Sequence, residues 1–180
     1  MKTPWLEHYK TLGINVPDLN DQPLGAFLEQ HASERPDNAA LWYIARAISY
    51  GELHQQVNRF ANALSVAGIG KGDVVGIHLP NIPQYIIALG AISKLGAIGS
   101  GVSPLLAPPE LAYQINDAQM KAVLTLNDFS AAFSAMTTVP DCLEAVIIAS
   151  AKDLLAPENF DLLHIAVSYT HLTLPTTSRV

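Results

Sequence analysis

Basic residues are scarce in this 180-residue chain: 10 Lys and Arg stand against 16 Asp and Glu, for a formal charge of -6. The lysines and arginines are scattered singly, so no basic face is available for a phosphate backbone and nucleic acid is not an expected partner. Cysteine is almost absent. Cys142 alone excludes a disulfide framework or a cysteine-rich zinc site and suits a reducing compartment; it reads as a small apolar residue beside the strand that follows it. The opening MKTPWLEHYKTLG has no apolar run behind its first lysine, so a secretory signal is unsupported and a cytoplasmic address is the default. Long unbroken apolar runs are missing too. Residues 85–102 come closest, but Lys94 and four glycines interrupt them, short of the ~20 apolar residues a membrane helix needs.

What the chain does have is apolar mass. Hydrophobic residues make up 49% of it and charged ones 14%, which suits a globular chain burying roughly two-thirds of its unfolded surface. Leu24, Phe27, Leu28 and His31 fall at helical spacing, with Pro23 suited to the first turn and Pro36 to the stop. Two β-rich runs, residues 41–44 and 47–50, predict a hairpin turning at Ala45 and Arg46. Ser49 and Glu52 form a capping-box pattern before a long helix. That helix buries Leu53, Val57, Phe60, Ala61 and Leu64, turns Gln55, Gln56, Arg59 and Asn62 outward, and ends at Gly68.

From there strands and helices alternate. VVGIHL is continuously apolar, as a strand covered on both faces is. Asn81 as a cap and Pro83 in the first turn open a helix that runs to Lys94 and ends at Gly96. AIGSGV reads as a strand, PPELAYQINDAQM as a helix, KAVLTL as a strand, DFSAAFSAM as a helix capped by Asp128, and LEAVIIA as a strand. This alternation predicts an α/β fold, a mostly parallel sheet with flanking helices joined by right-handed crossovers, in one domain.

The residues themselves present no active site. Gly96, Gly99 and Gly101 follow a helix and lie in a strand, the reverse of a phosphate loop, and GIGKGD lacks both Walker spacing and a Ser or Thr after its lysine. Both glycine sets read as turns and close-packing sites, which disfavours a Rossmann-type cofactor binder. His78 ends a strand where α/β sheets bind ligands, yet it has no local carboxylate and a structural role is the simpler reading. His8, His31, His54 and His164 have no metal-ligand spacing, no serine sits in a G-x-S-x-G elbow, and Cys142 has no activating charge nearby. Catalytic, cofactor-binding and metal residues are therefore all assigned as none.

The order of residues carries more. Ser49-Tyr50 with Glu52-Leu53, Asn58-Arg59 with Ala61, Gly68 with Lys71-Gly72-Asp73, Leu79-Pro80-Asn81, Lys94 with Gly96-Ala97, Pro104, Glu110-Leu111 and Asn116-Asp117 keep their spacing over about 75 residues. This pattern closely resembles the N-terminal part of the adenylate-forming (AMP-binding) superfamily of acyl-CoA synthetases, luciferases and peptide-synthetase adenylation domains. With PWLEHY before PLGAFLEQHASERPDNAAL, it is most similar to bacterial long-chain fatty acid CoA ligases.

The resemblance implies a parent acid-thiol ligase. It would use ATP with Mg2+ to form an acyl-adenylate from a fatty acid, then pass the acyl group to CoA. The family's Ser/Thr/Gly-rich phosphate loop, its adenine and ribose motifs and its C-terminal lysine are absent here, so none of its catalytic residues maps onto this chain. Ala107 replaces a customary helix-capping threonine and Ser103 a customary asparagine before Pro104. From Ala122 to Ala151 no Lys or Arg is available for CoA phosphate, a role some members give to that region.

Residues 1–166 are expected to form the N-terminal part of an AMP-binding acyl-CoA synthetase domain. Residues 167–180, VSYTHLTLPTTSRV, resemble a translated cloning adapter. By itself the fragment should be inactive and bind ATP, Mg2+ and CoA poorly. No transmembrane segment is expected, peripheral membrane association is left open, and so is oligomeric state. The rivals are an aryl or amino acid adenylating enzyme of the same superfamily and a non-enzymatic α/β binding module.

Overall fold

The computed structural model describes residues 4–15, 22–43 and 46–150. Helix α1 (Pro4–Thr11), a segment without a sequence expectation, has no buried residue and holds its end with Thr11 Oγ1 donating to the His8 carbonyl. Helix α2 (Leu24–Glu34) starts one residue later than expected, with Pro23 as an extended N-cap (φ -65°, ψ 150°) instead of part of the first turn. It stops before Pro36, whose ring disfavours helical geometry in the preceding residue.

Strands β1 (Ala39–Tyr43) and β2 (Arg46–Ser49) pair antiparallel as the predicted hairpin, with Trp42 opposite Ala47. Ile44, expected to end the first strand, and Ala45 of the expected turn lie outside the described residues, while Arg46, the other expected turn residue, opens β2. Helix α3 (Tyr50–Val66) is capped by Ser49, whose Oγ accepts the Glu52 amide at 3.2 Å. Half of the expected capping box is replaced: the Glu52 carboxylate pairs with Arg46 instead. Leu53, Val57, Phe60, Ala61 and Leu64 are buried as predicted, but Gln56, expected outside, is only 3% exposed and its Oε1 lacks a partner. Its aliphatic stem widens the apolar stripe. Gly68, at φ +82°, supplies the left-handed turn after α3.

Strands β3 (Val74–His78), β4 (Ile98–Gly101), β5 (Met120–Leu126) and β6 (Ala145–Ala149) form a parallel sheet in the order β4-β3-β5-β6. Helix α4 (Pro83–Lys94) joins β3 to β4, and α5 (Pro108–Asp117) joins β4 to β5. Asn81 is not the cap of α4. A proline at the first helical position forces its predecessor into extended geometry, so Ile82 (φ -127°, ψ 160°) takes that place.

The helix expected over DFSAAFSAM is split into a 3-10 turn at Asn127–Phe129 and a short α6 (Ala131–Ser134). Asp128 lies inside the 3-10 turn and caps nothing; Ser130 is helical, and Phe133 is the one residue of α6 that is buried.

Side chains alternate between the two faces of the sheet. Val75, Ile77, Ala122, Leu124, Ile147 and Ala149 pack with the α3 and α4 residues Val57, Phe60, Leu64, Ile87 and Ala91. Val123 and Val146 pack on the other side with Leu111, Ile115 and Phe133. Gly76 belongs to this second face, where an added Cβ would stand 2.8 Å from Met120 Sδ and 3.0 Å from Val123 Cγ2. Trp42 (76%), Leu105 (91%) and Tyr113 (72%) remain exposed.

Candidate functional site

In an open parallel sheet, a ligand crevice forms beyond the carboxyl ends of the strands where their order reverses. The reversal here lies between β3 and β5: the chain leaves β3 for β4 on one side and returns across it to β5 on the other. His78 ends β3 and pairs across the ladder with Thr125 of β5. Their Nδ1 and Oγ1 atoms are 2.7 Å apart, and both residues are fully buried. Phe129 and Phe133 meet the imidazole edge-on at centroid distances of 5.9 and 5.5 Å. The chain's own side chains thus fill the position where a ligand would be expected.

Burial lowers the His78 pKa, and the Ser103 backbone opposes that shift in smaller measure. Nε2 nevertheless has no well-aligned hydrogen-bond partner. His78 stands where the sequence placed it, at the end of β3, fully buried between Thr125 and the rings of Phe129 and Phe133.

Three polar groups that sequence reading missed line the same edge. Thr125 lies hidden in an apolar strand, while Gln84 sends Nε2 to the Ser150 carbonyl at 2.9 Å and leaves Oε1 unpartnered. Gln114 donates to the Gly101 carbonyl at 3.1 Å. For Thr125 and Gln84 the available signal was a single polar residue in an otherwise apolar run, which marks a buried group as readily as a ligand.

GIGKGD sits at the opposite, amino end of β3. Gly68 and Gly72 take φ of +82° and +87°, while the Gly70 amide donates to Asp73 Oδ2 at 2.8 Å. That amide, helped by Lys121 and opposed by desolvation, holds the Asp73 carboxyl below its usual pKa. Lys121 Nζ also donates to the Gly68 carbonyl at 2.9 Å, so the loop is clamped to β5 as a turn. Of the two β4 glycines, Gly101 is the tighter, its would-be Cβ lying 3.4 Å from the Tyr85 hydroxyl.

The other histidines do not converge. His8 is exposed, His31 packs on Tyr50 with centroids 5.2 Å apart, His54 joins Lys94, and His164 lies outside the described residues. Among the described residues, no group of three or more His, Cys, Asp or Glu side chains could hold a metal. Cys142 is half-buried beside the Ile115 carbonyl.

Two apolar clefts share Leu41 and Ile86. One, of about 270 Å³, includes Trp42 and Tyr85; the other, of about 290 Å³, includes Phe27, Leu28 and Leu89. No Lys, Arg, Asp or Glu lines either cleft. Among the described residues, the stretches that follow β3, β4 and β5, at 79–84, 102–107 and 127–130, hold one charged side chain, Asp128. A triphosphate needs convergent cations or free amides and Mg2+ needs oxygen ligands beside it, so these residues do not fit ATP, CoA phosphate or magnesium. No helix among the described residues is long and apolar enough to cross a membrane.

The family model described as AMP-binding enzyme matches residues 28–168. The acetyl-coenzyme A synthetase of Sodalis glossinidius (strain morsitans) is 36% identical over 107 residues, covering 56% of this chain and 16% of that enzyme. An anthranilate CoA ligase solved with anthranoyl-AMP has a TM-score of 0.70 at 22% identity, over 84% of this chain and 28% of that one. A Mycobacterium tuberculosis fatty acyl CoA synthetase gives 0.66 at 25% identity, over 82% of this chain and 28% of that one. The chain therefore spans only 16% of the length of the curated relatives it matches. With its alternating strands and helices, its parallel sheet and a family match running from α2 past β6, this chain belongs to the AMP-binding enzyme family.

Proposed function

We propose that this chain is the N-terminal scaffold of an ATP-dependent acyl-CoA ligase, one that activates a long-chain fatty acid as its adenylate and transfers it to CoA. The carrying observation is the 36% identity kept over 107 residues with an acetyl-coenzyme A synthetase. The likeness to a fatty acyl CoA synthetase supports the same reaction class. In this reading the described residues hold the sheet in register and close its switch point, while the groups that bind and activate the acid belong to the rest of the parent. A cytoplasmic enzyme is part of the reading, supported by the single cysteine.

The acid class has a rival. Likeness to acetyl-coenzyme A synthetases and to an anthranilate CoA ligase supports a short-chain or aryl acid; the N-terminal PWLEHY resemblance favours a fatty acid. The test is acid-dependent AMP formation by the full-length parent, given ATP, Mg2+, CoA and palmitate, acetate or benzoate in turn. The highest kcat/KM is expected with palmitate. A preference for acetate or benzoate overturns the fatty acid class, and no AMP with any acid overturns the ligase reading. The 180-residue chain alone should show no carboxylate-dependent ATP–pyrophosphate exchange.

A further inference from the structure

Three helices meet at a polar knot on the face of the sheet covered by α3 and α4. Lys94, at the end of α4, donates from Nζ to Asn58 Oδ1 of α3 at 2.6 Å and lies 3.2 Å from His54 Nε2 one turn earlier. Asn58 Nδ2 is also 3.1 Å from that nitrogen. The chemistry of the donors fixes the protonation state. An ammonium has only protons to offer, and Asn58 must turn its carbonyl toward Lys94 and its NH2 toward the ring, so His54 Nε2 is an unprotonated acceptor and the proton resides on Nδ1.

Helix α2 rests on this knot. Glu29 reaches Lys94 Nζ at 3.6 Å, and the Gly25 amide donates to Ser93 Oγ at 3.2 Å. Gly25 packs so closely that a Cβ there would be 3.0 Å from Lys94 Cγ. The position of the Lys94 stem is therefore the position of the seat for α2. The Glu29 carboxylate is 64% exposed, so that ion pair alone is a weak fastening.

We propose that His54 is a proton-operated clasp: with a neutral ring it receives Lys94 and Asn58 and seats α2, and with a charged ring it expels Lys94 and loosens α2 from α3 and α4. A proton on Nε2 removes the acceptor and sets an imidazolium beside the ammonium. Lys94 then turns toward Glu29 and water, carrying away the stem on which Gly25 packs. The charged groups acting on the ring are Lys94 from α4 and Glu29 from α2. Desolvation and then Lys94 lower its pKa, while Glu29 raises it. Folding therefore favours the neutral ring, and the clasp is closed near neutral pH and opens on acidification through the lowered value.

The test is residue-resolved hydrogen exchange on the 180-residue chain at about pH 7.5 and about pH 5, the span over which histidine titrates, corrected for intrinsic exchange rates. Protection of α2 amides should fall about tenfold relative to β3 and β5, the size of one lost hydrogen bond to a charged group. His54→Gln, whose side-chain oxygen accepts at either pH, should abolish that difference. Equal loosening of α2 in His54→Gln, or none in the unsubstituted chain, overturns the proposal. Lys94→Met supplies a second readout: with the cation gone, the NMR titration midpoint of His54 should rise, and an unchanged or lower midpoint also overturns it.

Discussion

Gly90 sits buried in the middle of α4, where alanine would ordinarily strengthen a helix by about 1 kcal/mol. The packing predicts the opposite. A Cβ at this position would lie 2.9 Å from Val57 Cγ2, 3.3 Å from Val57 Cγ1 and 3.7 Å from Leu28 Cδ2. Val57 is fully buried, and a β-branched residue within a helix has essentially one χ1 rotamer, so it cannot turn aside. Overpacking of this kind costs about 1–3 kcal/mol; set against the propensity gain, Gly90→Ala should lose about 1 kcal/mol net, or about 3 °C in Tm for a domain of this size. Val57→Ala alone should lose about 2 kcal/mol to the space it leaves. In the double variant the new methyl enters that space, and the total loss should be about 1 kcal/mol smaller than the sum of the single losses. Circular dichroism melts and urea titrations of all four proteins measure the cycle. A stabilised Gly90→Ala, or additivity within about 0.5 kcal/mol, would refute the argument that Val57 has no room to yield.

Ser49→Ala should lower the denaturant midpoint through the loss of about 1 kcal/mol of cap stabilisation, since Ser49 Oγ holds the Glu52 amide. Ala107→Thr should do the reverse by a similar amount, about 1 kcal/mol, because Ala107 already has the extended cap geometry and Glu110 already returns to its amide at 3.0 Å. Thr125→Val should cost about 1–3 kcal/mol by leaving His78 Nδ1 buried without its partner, measured by the same melts. Because folding keeps His78 neutral, the unfolded chain binds the additional proton. That part of the stability is complete above the ordinary value of 6.5 and is lost as pH falls through the lowered folded value; its NMR titration below 6.5 is the check, and a midpoint above it would contradict the burial argument.

The parts of this fold legible in sequence are those whose cause is local. Ser49 caps α3 because a hydroxyl two bonds from the backbone reaches the amide three residues on, and the apolar run of VVGIHL marks a strand covered on both sides. Gly68 likewise announces its left-handed turn. What escaped depends on partners remote in sequence. Nothing around Gln56 shows that α3 is packed widely enough to bury it, and nothing around His78 shows that Thr125, 47 residues away, will bond it. Asn81 misled because a local preference for asparagine at caps yields to the harder constraint of Pro83 on Ile82. The family resemblance was legible over about 75 residues, whereas the scarcity of charge in the described stretches after β3, β4 and β5 explains why no reactive constellation could be read from them.

The strand order also dictates what the protein is while it is being made. β3, α4 and β4 emerge as one contiguous stretch, and α4 can cover one side of that pair immediately. The other side, with Val74, Gly76 and His78, waits for α5 and for β5 to cross back over β3. At roughly 5–20 residues per second, the 25 residues from Gly101 to Leu126 leave this half-clad ribbon bare for about 1–5 seconds. During that interval the free flank of β3 is open to the wrong strand or to a chaperone, so synthesis speed across α5 becomes a variable in the yield of folded protein.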